Sequence, residues 1–211
     1  MSRRKGHRHR IHGNPFSVRG DIEKPDWAAR FGRHAPIAVD IGFGRGLFVL
    51  GLARAHPEWN VVGLEIRDHL VDRVLEDAAE EGLSNVQAVV ANANVHLDEL
   101  FDESSLAFVS INFPDPWFKK RHHKRRVVQE PLLDALAARL TDGGELHAMS
   151  DFEPIALEIL ELLNAHGSFE NLEPHGGFAP SSTTGIPTER EIHHGEKHAQ
   201  PIHRMHFRKK G

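Results

Sequence analysis

Ile37-Ala38-Val39-Asp40-Ile41-Gly42-Phe43-Gly44-Arg45-Gly46-Leu47-Phe48-Val49-Leu50 is the stretch on which the fold turns. Its first five residues form an apolar run that reads as a buried strand, and residues 46–55 read as a helix stopped by Pro57. Outward from this unit, short β-branched runs alternate with helical stretches, the pattern of an α/β fold around a mostly parallel sheet. Further strands are expected at 61–66, 86–91, 106–113 and 145–149. Two last ones, at 169–173 and 202–208, are expected to form a hairpin at the sheet edge. Further helices are expected at about 68–81, at 130–140 and at 154–166; in the first of these Leu70, Val71, Val74, Leu75 and Ala78 share one face. Residues 176–200 are rich in Gly, Pro, Ser, Thr and His and read as one loop. Such a length is uncommon in a compact domain unless the loop is functional or mobile.

The glycines at positions 42, 44 and 46 let the backbone approach a ligand at the carboxyl end of the first strand, where open α/β sheets bind cofactors. Glu65 ends the second strand, where a carboxylate can accept both hydroxyls of a ribose. A dinucleotide fold has the same arrangement, and a purely structural glycine turn is a third reading. Two features favour a methyl donor. The glycine spacing is two and two, against two and three in the dinucleotide fingerprint. Asp40 would repel a pyrophosphate but attract the sulfonium and amino group of S-adenosylmethionine. Asn92, after the third strand, can pair with an adenine edge or simply form a turn.

The fourth strand leaves the sheet as Asn112-Phe113-Pro114-Asp115-Pro116-Trp117-Phe118 and runs into Lys119-Lys120-Arg121-His122-His123-Lys124-Arg125-Arg126, six formal positive charges in eight positions. The two prolines fix an extended turn beside the Gly loop and hold Asp115 where its carboxylate can meet a bound base. Trp117 and Phe118 can stack on a base, and the cations can take phosphates. As structure alone, this is a proline-capped strand end with aromatic core residues. Core strands rarely discharge into six cations.

These residues, Pro114-Asp115-Pro116-Trp117 with the cations that follow and the Asp40-to-Gly46 turn ahead of them, resemble the bacterial tRNA (guanine-N7-)-methyltransferase family. The resemblance runs through about 36–175 and returns at Thr188-Glu189-Arg190-Glu191, where Arg190 stands in place of the family's aromatic. Arg10-Ile11-His12-Gly13-Asn14-Pro15 resembles the opening of some relatives. The resemblance implies a Rossmann-like class I S-adenosylmethionine-dependent methyltransferase, with a mostly parallel seven-stranded sheet and a C-terminal antiparallel hairpin. It implies S-adenosyl-L-methionine as cofactor, tRNA as partner, and N7 of guanine, in the variable loop, as methyl acceptor. By position it implies cofactor contacts from Asp40, Gly42, Gly44, Gly46, Glu65, Asn92 and Asp115, with Asp115 also the catalytic carboxylate. Substrate contacts fall on Lys119, Asp151, Thr188, Glu189, Arg190 and Glu191, and the RNA runs along Arg121, His122, His123, Lys124, Arg125 and Arg126. Asn92 departs from the acid frequent in the family, and the His-rich C-terminus is unlike its common ending.

Several of these residues have plainer readings. Asp151, shortly before Pro154, fits a helix N-cap. Thr188 and Glu191 fit a capping box. Lys119 fits one cation of a run.

The 211 residues allow one domain with a sizeable core; residues 1–30 read as a flexible basic N-terminal segment and 31–211 as the single methyltransferase domain. There is no cysteine, so disulfides and thiolate chemistry are excluded. The net charge of −4 hides a segregation: residues 1–20 hold six Arg or Lys and no acid, whereas 58–105 carry twelve acids against Arg67 and Arg73. A nucleic-acid binder needs a basic face rather than a basic total. No apolar run is long enough to span a membrane, and the compartment expected is the cytoplasm. No obligatory protein partner is expected, and a monomer and a homodimer fit equally. Of the 17 histidines, His193, His194, His198, His203 and His206 cluster near the end without a zinc-type spacing, so no metal is expected.

Overall fold

The computed structural model describes residues 17–197 and 201–211; the basic stretch at 1–16 and His198 lie outside the described residues. Residues 17–30, part of the segment expected to be flexible, make contacts with the rest of the chain. Gly20 accepts a hydrogen bond from His96 Nε2 at 2.9 Å, and the Ile22 amide donates to Glu99 at 3.0 Å. Helix α1 (Trp27–Phe31) starts on Asp26, whose carboxylate accepts from the Ala29 amide. It buries Trp27, whose indole N–H donates to the Leu100 carbonyl at 2.8 Å while the ring stacks on Phe101. The apolar payload of one tryptophan thus anchors this segment to the core.

The alternation expected from the sequence is present: β1 (Ile37–Ile41), α2 (Leu47–Ala55), β2 (Asn60–Glu65), α3 (Asp68–Glu80), β3 (Val86–Val90), α4 (Ala93–Leu100), β4 (Leu106–Asn112), α5 (Glu130–Arg139), β5 (Leu140–Ser150), α6 (Glu153–Ala165), β6 (Phe169–Asn171), α7 (Glu189–Lys197) and β7 (His203–Lys209). One seven-stranded sheet runs in the order β3-β2-β1-β4-β5-β7-β6. The first five strands are parallel, and β7 lies antiparallel between β5 and β6. The last two strands do form an antiparallel pair, and the edge position goes to the three-residue β6. The two faces of the sheet carry two cores. Leu97, Leu100, Leu132, Leu136 and Ile159 pack on one side, and Phe48, Leu52, Val71, Val74 and Ala78 on the other.

Three differences from the sequence pattern have local causes. Helix α4 buries Ala93, His96, Leu97 and Leu100, an i, i+3, i+4, i+7 set in which a histidine interrupts the apolar stripe. Strand β5 begins at Leu140, but its pairing with β4 jumps from Leu106↔Leu140 to Phe108↔Glu145, so Thr141–Gly144 bulge out of the ladder. The long 176–200 segment is not one loop. Ala179 bridges to Arg204, Ile186 is buried against α2, and α7 follows.

Candidate active site

The parallel strands β1 to β4 end at one rim, and a cleft there is lined by Gly42, Glu65, Asn92, Asp115, Trp117 and Arg125, among others. The turn between β1 and α2 is built for close approach. Gly46 sits at φ 94°, and a Cβ on it would lie 2.3 Å from a Val74 methyl. Gly63 likewise admits the Phe43 ring, so Phe43 packs beneath the turn instead of filling it. Gly42 lines the cleft; Gly44 and Gly46 shape the turn without lining it.

Asp40 lies beneath this turn, 1% exposed. One carboxylate oxygen accepts from Ser110 Oγ at 2.7 Å and Asn112 Nδ2 at 3.2 Å; the other, Oδ2, is buried with no partner. Burial, reinforced by the nearby Glu189 and Glu65 carboxylates and opposed by the two hydrogen bonds, pushes its pKa up to about 7. The Gly turn is thus surrounded by three carboxylates, one of which has an unpartnered buried oxygen. Such a set fits a cationic group such as an ammonium or a sulfonium, which would relieve the carboxylates' mutual repulsion.

Glu65 is buried at the end of β2 and already engaged. It accepts from the amides of Gly44, Ile66 and Arg67, and the Arg67 guanidinium pairs with it at 2.8 Å. A ribose at Glu65 therefore has to displace the half-exposed Arg67 fork. Asn92 caps α4, accepting from the Asn94 amide at 3.1 Å, while its own amide donates to His96. The turn-forming reading of Asn92 is thereby realised as a helix cap.

Asp115 lines the cleft on a strained exit from β4. Phe113 and Trp117, flanking the Pro-Asp-Pro, have φ of 50° and 43°, the left-handed region that non-glycine residues rarely occupy. An Arg125 guanidinium 5.0 Å from its ring and His122 edge-on both meet Trp117 there. Trp117 is therefore already engaged, and Phe118 meets Phe152 edge-on while staying 69% exposed.

The cationic run is not uniform. A 3₁₀ turn over Lys120–Arg125 exposes Lys119, Arg121 and Lys124, and turns Arg125 toward the cleft. Arg126 points inward. It pairs with Glu158 of α6, donates to the Pro116 carbonyl at 3.0 Å and meets His123 at 3.0 Å. Arg126, expected along the RNA, is thus a strut between the β4 exit and α6. His122 has its pKa lowered, by desolvation first and then by Arg125, Arg121 and Lys119.

The first turn of α7 closes the rim. Thr188 and Glu191 form a reciprocal capping box, the Glu191 amide donating to Thr188 Oγ1 and the Thr188 amide to Glu191 Oε2. Glu191 also pairs with Arg204 at 2.7 Å. Glu189 accepts from the Leu47 amide at the start of α2, a favourable place for a carboxylate. Arg190 pairs with Asp151 at 2.7 Å and lies over the Phe113 ring. The N-cap reading of Asp151 is not realised: Phe152 holds that position and makes no side-chain cap. Arg67 and Arg204, which hold Glu65 and Glu191, were missed in the sequence; a positive charge among acids could have flagged Arg67, whereas Arg204 sits in a basic, His-rich stretch with no such signal.

A family profile described as "Putative methyltransferase" matches residues 34–205. A tRNA (guanine-N(7)-)-methyltransferase of Synechococcus sp. is 43% identical over 194 residues, covering 90% of this chain and 80% of the relative. One of Synechococcus elongatus is 41% identical over 204 residues, covering 94% of both. Among solved structures, the 16S rRNA methyltransferase KamB superposes with a TM-score of 0.63 at 16% identity, covering 92% of this chain and 99% of that one, which bears on the fold alone. The seven-stranded sheet is that of the class I S-adenosylmethionine-dependent methyltransferases. Among the described residues no helix is long and apolar enough to cross a membrane.

Proposed function

This chain belongs to the tRNA (guanine-N7-)-methyltransferase family, and from that premise we propose that it methylates N7 of guanine in tRNA, the target being the guanosine at position 46 of the variable loop. The observation that carries this reading is the convergence of Gly42, Glu65, Asn92 and Asp115, from four separate strand ends, on one cleft beside the exposed cations. S-adenosylmethionine is the cofactor of this reading and supplies, when bound, a methyl group on a sulfonium. Asp40 and Glu189 offer negative charge to its cationic end below and beside the Gly turn, and Glu65 offers acceptors to the ribose once Arg67 has moved.

Guanine N7 carries an in-plane lone pair and needs no deprotonation, so no general base is required. The protein's task is alignment, which can supply roughly 7–11 kcal/mol in favourable cases, and tolerance of the positive charge that appears on the purine. Asp115 performs the second task. Its carboxylate faces the developing cation and can accept from the guanine N1–H and N2–H2 edge. Asp151 and Glu191 support the base from the rim, each restrained by an arginine, Arg190 and Arg204 respectively. Lys119, Arg121 and Lys124 take phosphates outside the cleft. A cytoplasmic enzyme working as a monomer or homodimer, with no obligatory protein partner, completes the reading.

The test is transfer of labelled methyl from S-adenosylmethionine to tRNA lacking N7-methylguanosine, followed by nucleoside analysis and mapping of the modified position. Label in N7-methylguanosine at position 46 is the expected result. Absence of N7-methylguanosine overturns the activity, and label at another guanosine overturns the position alone.

A further inference from the structure

Away from the cleft, toward the starting end of β5, two strands bring together a carboxylate and two imidazoles. Glu145 and His147 lie two residues apart on β5 and therefore on one face of the sheet. His206 of β7 stands directly across from His147 in the antiparallel register. Glu145 Oε2 is 3.0 Å from His147 Nε2 and 3.0 Å from His206 Nε2, and one donor atom from each of the three residues lies within 4.8 Å of the others. His147 is buried, held edge-on against Phe108, while Glu145, 35% exposed, opens the group to solvent.

We propose that Glu145, His147 and His206 form a zinc site, with water completing a four-coordinate shell. Two imidazoles and one carboxylate are a ligand set suited to Zn²⁺ and similar divalent ions. An ion about 2.1 Å from each donor in tetrahedral geometry keeps the donors roughly 3.4 Å apart. The two 3.0 Å contacts to Glu145 need to open by a few tenths of an ångström, and the two imidazoles, whose ligand nitrogens lie within 4.8 Å of each other, need to settle to the same spacing. A partner that orients His147 is already in place. Thr183 Oγ1 lies 2.7 Å from His147 Nδ1. A hydroxyl can donate to Nδ1 when Nε2 carries the proton, and accept from Nδ1–H once Nε2 turns to a metal. Arg208, 3.8 Å from the other Glu145 oxygen, is the competing cation; it is 46% exposed and able to swing away. No zinc-type spacing announces the site in the sequence, because two ligands come from one strand and the third lies 59 residues on, supplied by register alone. The ion would staple β5 to β7 and, through Thr183, to the segment leading into α7.

Calorimetric titration of Zn²⁺ into the chelator-treated full chain, with His206→Gln and Glu145→Gln beside it, tests this. Histidines elsewhere set a background common to all three proteins. The unsubstituted chain is expected to bind one more Zn²⁺ than either variant, the affinity of that site falling at least tenfold in each, and to melt at higher temperature with Zn²⁺ while the variants do not. Far-UV circular dichroism of the metal-free variants establishes which are folded. Should neither fold, Co²⁺ in the unsubstituted chain decides: intense visible absorption of four-coordinate Co²⁺ is expected, and its absence overturns the proposal. An isotherm unchanged in either folded variant overturns it equally.

Discussion

Asp40 is the residue at which stability and binding pull in opposite directions. Its ordinary pKa of 3.8 rises to about 7 through burial, so between those values the folded chain holds a proton that the unfolded chain has released. Stability therefore falls as pH rises from about 4 to about 7 and levels off above. Asp40→Asn keeps an acceptor for Ser110 and Asn112 and removes this penalty. The ligand-free variant should be more stable than the unsubstituted chain at pH 8, by up to about 4 kcal/mol, and should lose that advantage near pH 4. Denaturant melts at both pH values check this, and calorimetry should show S-adenosylmethionine affinity at least tenfold weaker. Equal stability at pH 8 would remove the buried charge from the account. Asp115 makes the opposite prediction, because its work lies in the transition state. Asp115→Asn should lower turnover by about 10²-fold while methyl-donor affinity changes less than threefold. Normal turnover with weakened donor binding would reassign it to the cofactor.

At the scale of elements, two short segments decide how the cleft is framed: the β4 exit and the first turn of α7. Arg126 fastens the first to α6 through Glu158 and Pro116. Removing a largely buried charge-assisted set of bonds leaves carbonyl and carboxylate partners unpaired, so Arg126→Ala should cost about 1–3 kcal/mol in a denaturant melt. Lys124→Ala, at an exposed position, should change stability by less than about 0.5 kcal/mol. Equal effects would mean that Arg126 is no strut. Such inward and outward turns within one cationic run are not legible in sequence, since eight neighbouring residues share a composition and only tertiary packing separates them. The capping box at Thr188 and Glu191 was legible, because its spacing is itself the mechanism. Helix α4 was hidden by His96 within its apolar face, and its cap, Asn92, looked like a ligand or a turn.

For the whole molecule, alternating patterns and right-handed crossovers make β1 to β5 parallel with their carboxyl ends at one rim, which is why the Gly turn, Glu65, Asn92 and Asp115 could be placed there from sequence. The insertion of β7 between β5 and β6 had no local signal, and with it went the ties of Arg204 to Glu191 and of His206 to Glu145. The charge pattern has the same two levels. The chain carries −4 overall, yet Lys119, Arg121 and Lys124 face outward beside the cleft while acids crowd α3 and α4. If those three cations take tRNA phosphates, affinity must fall with salt through counterion release, each contact contributing roughly 0.7–0.9 to the slope of log K against log salt. Replacing all three by Ala should flatten that slope by about 2–3, measured by filter binding across a salt series, with the melting temperature and S-adenosylmethionine affinity unchanged. A slope that stays put would shift the phosphate contacts to other cations and leave the exposed run a solvated surface.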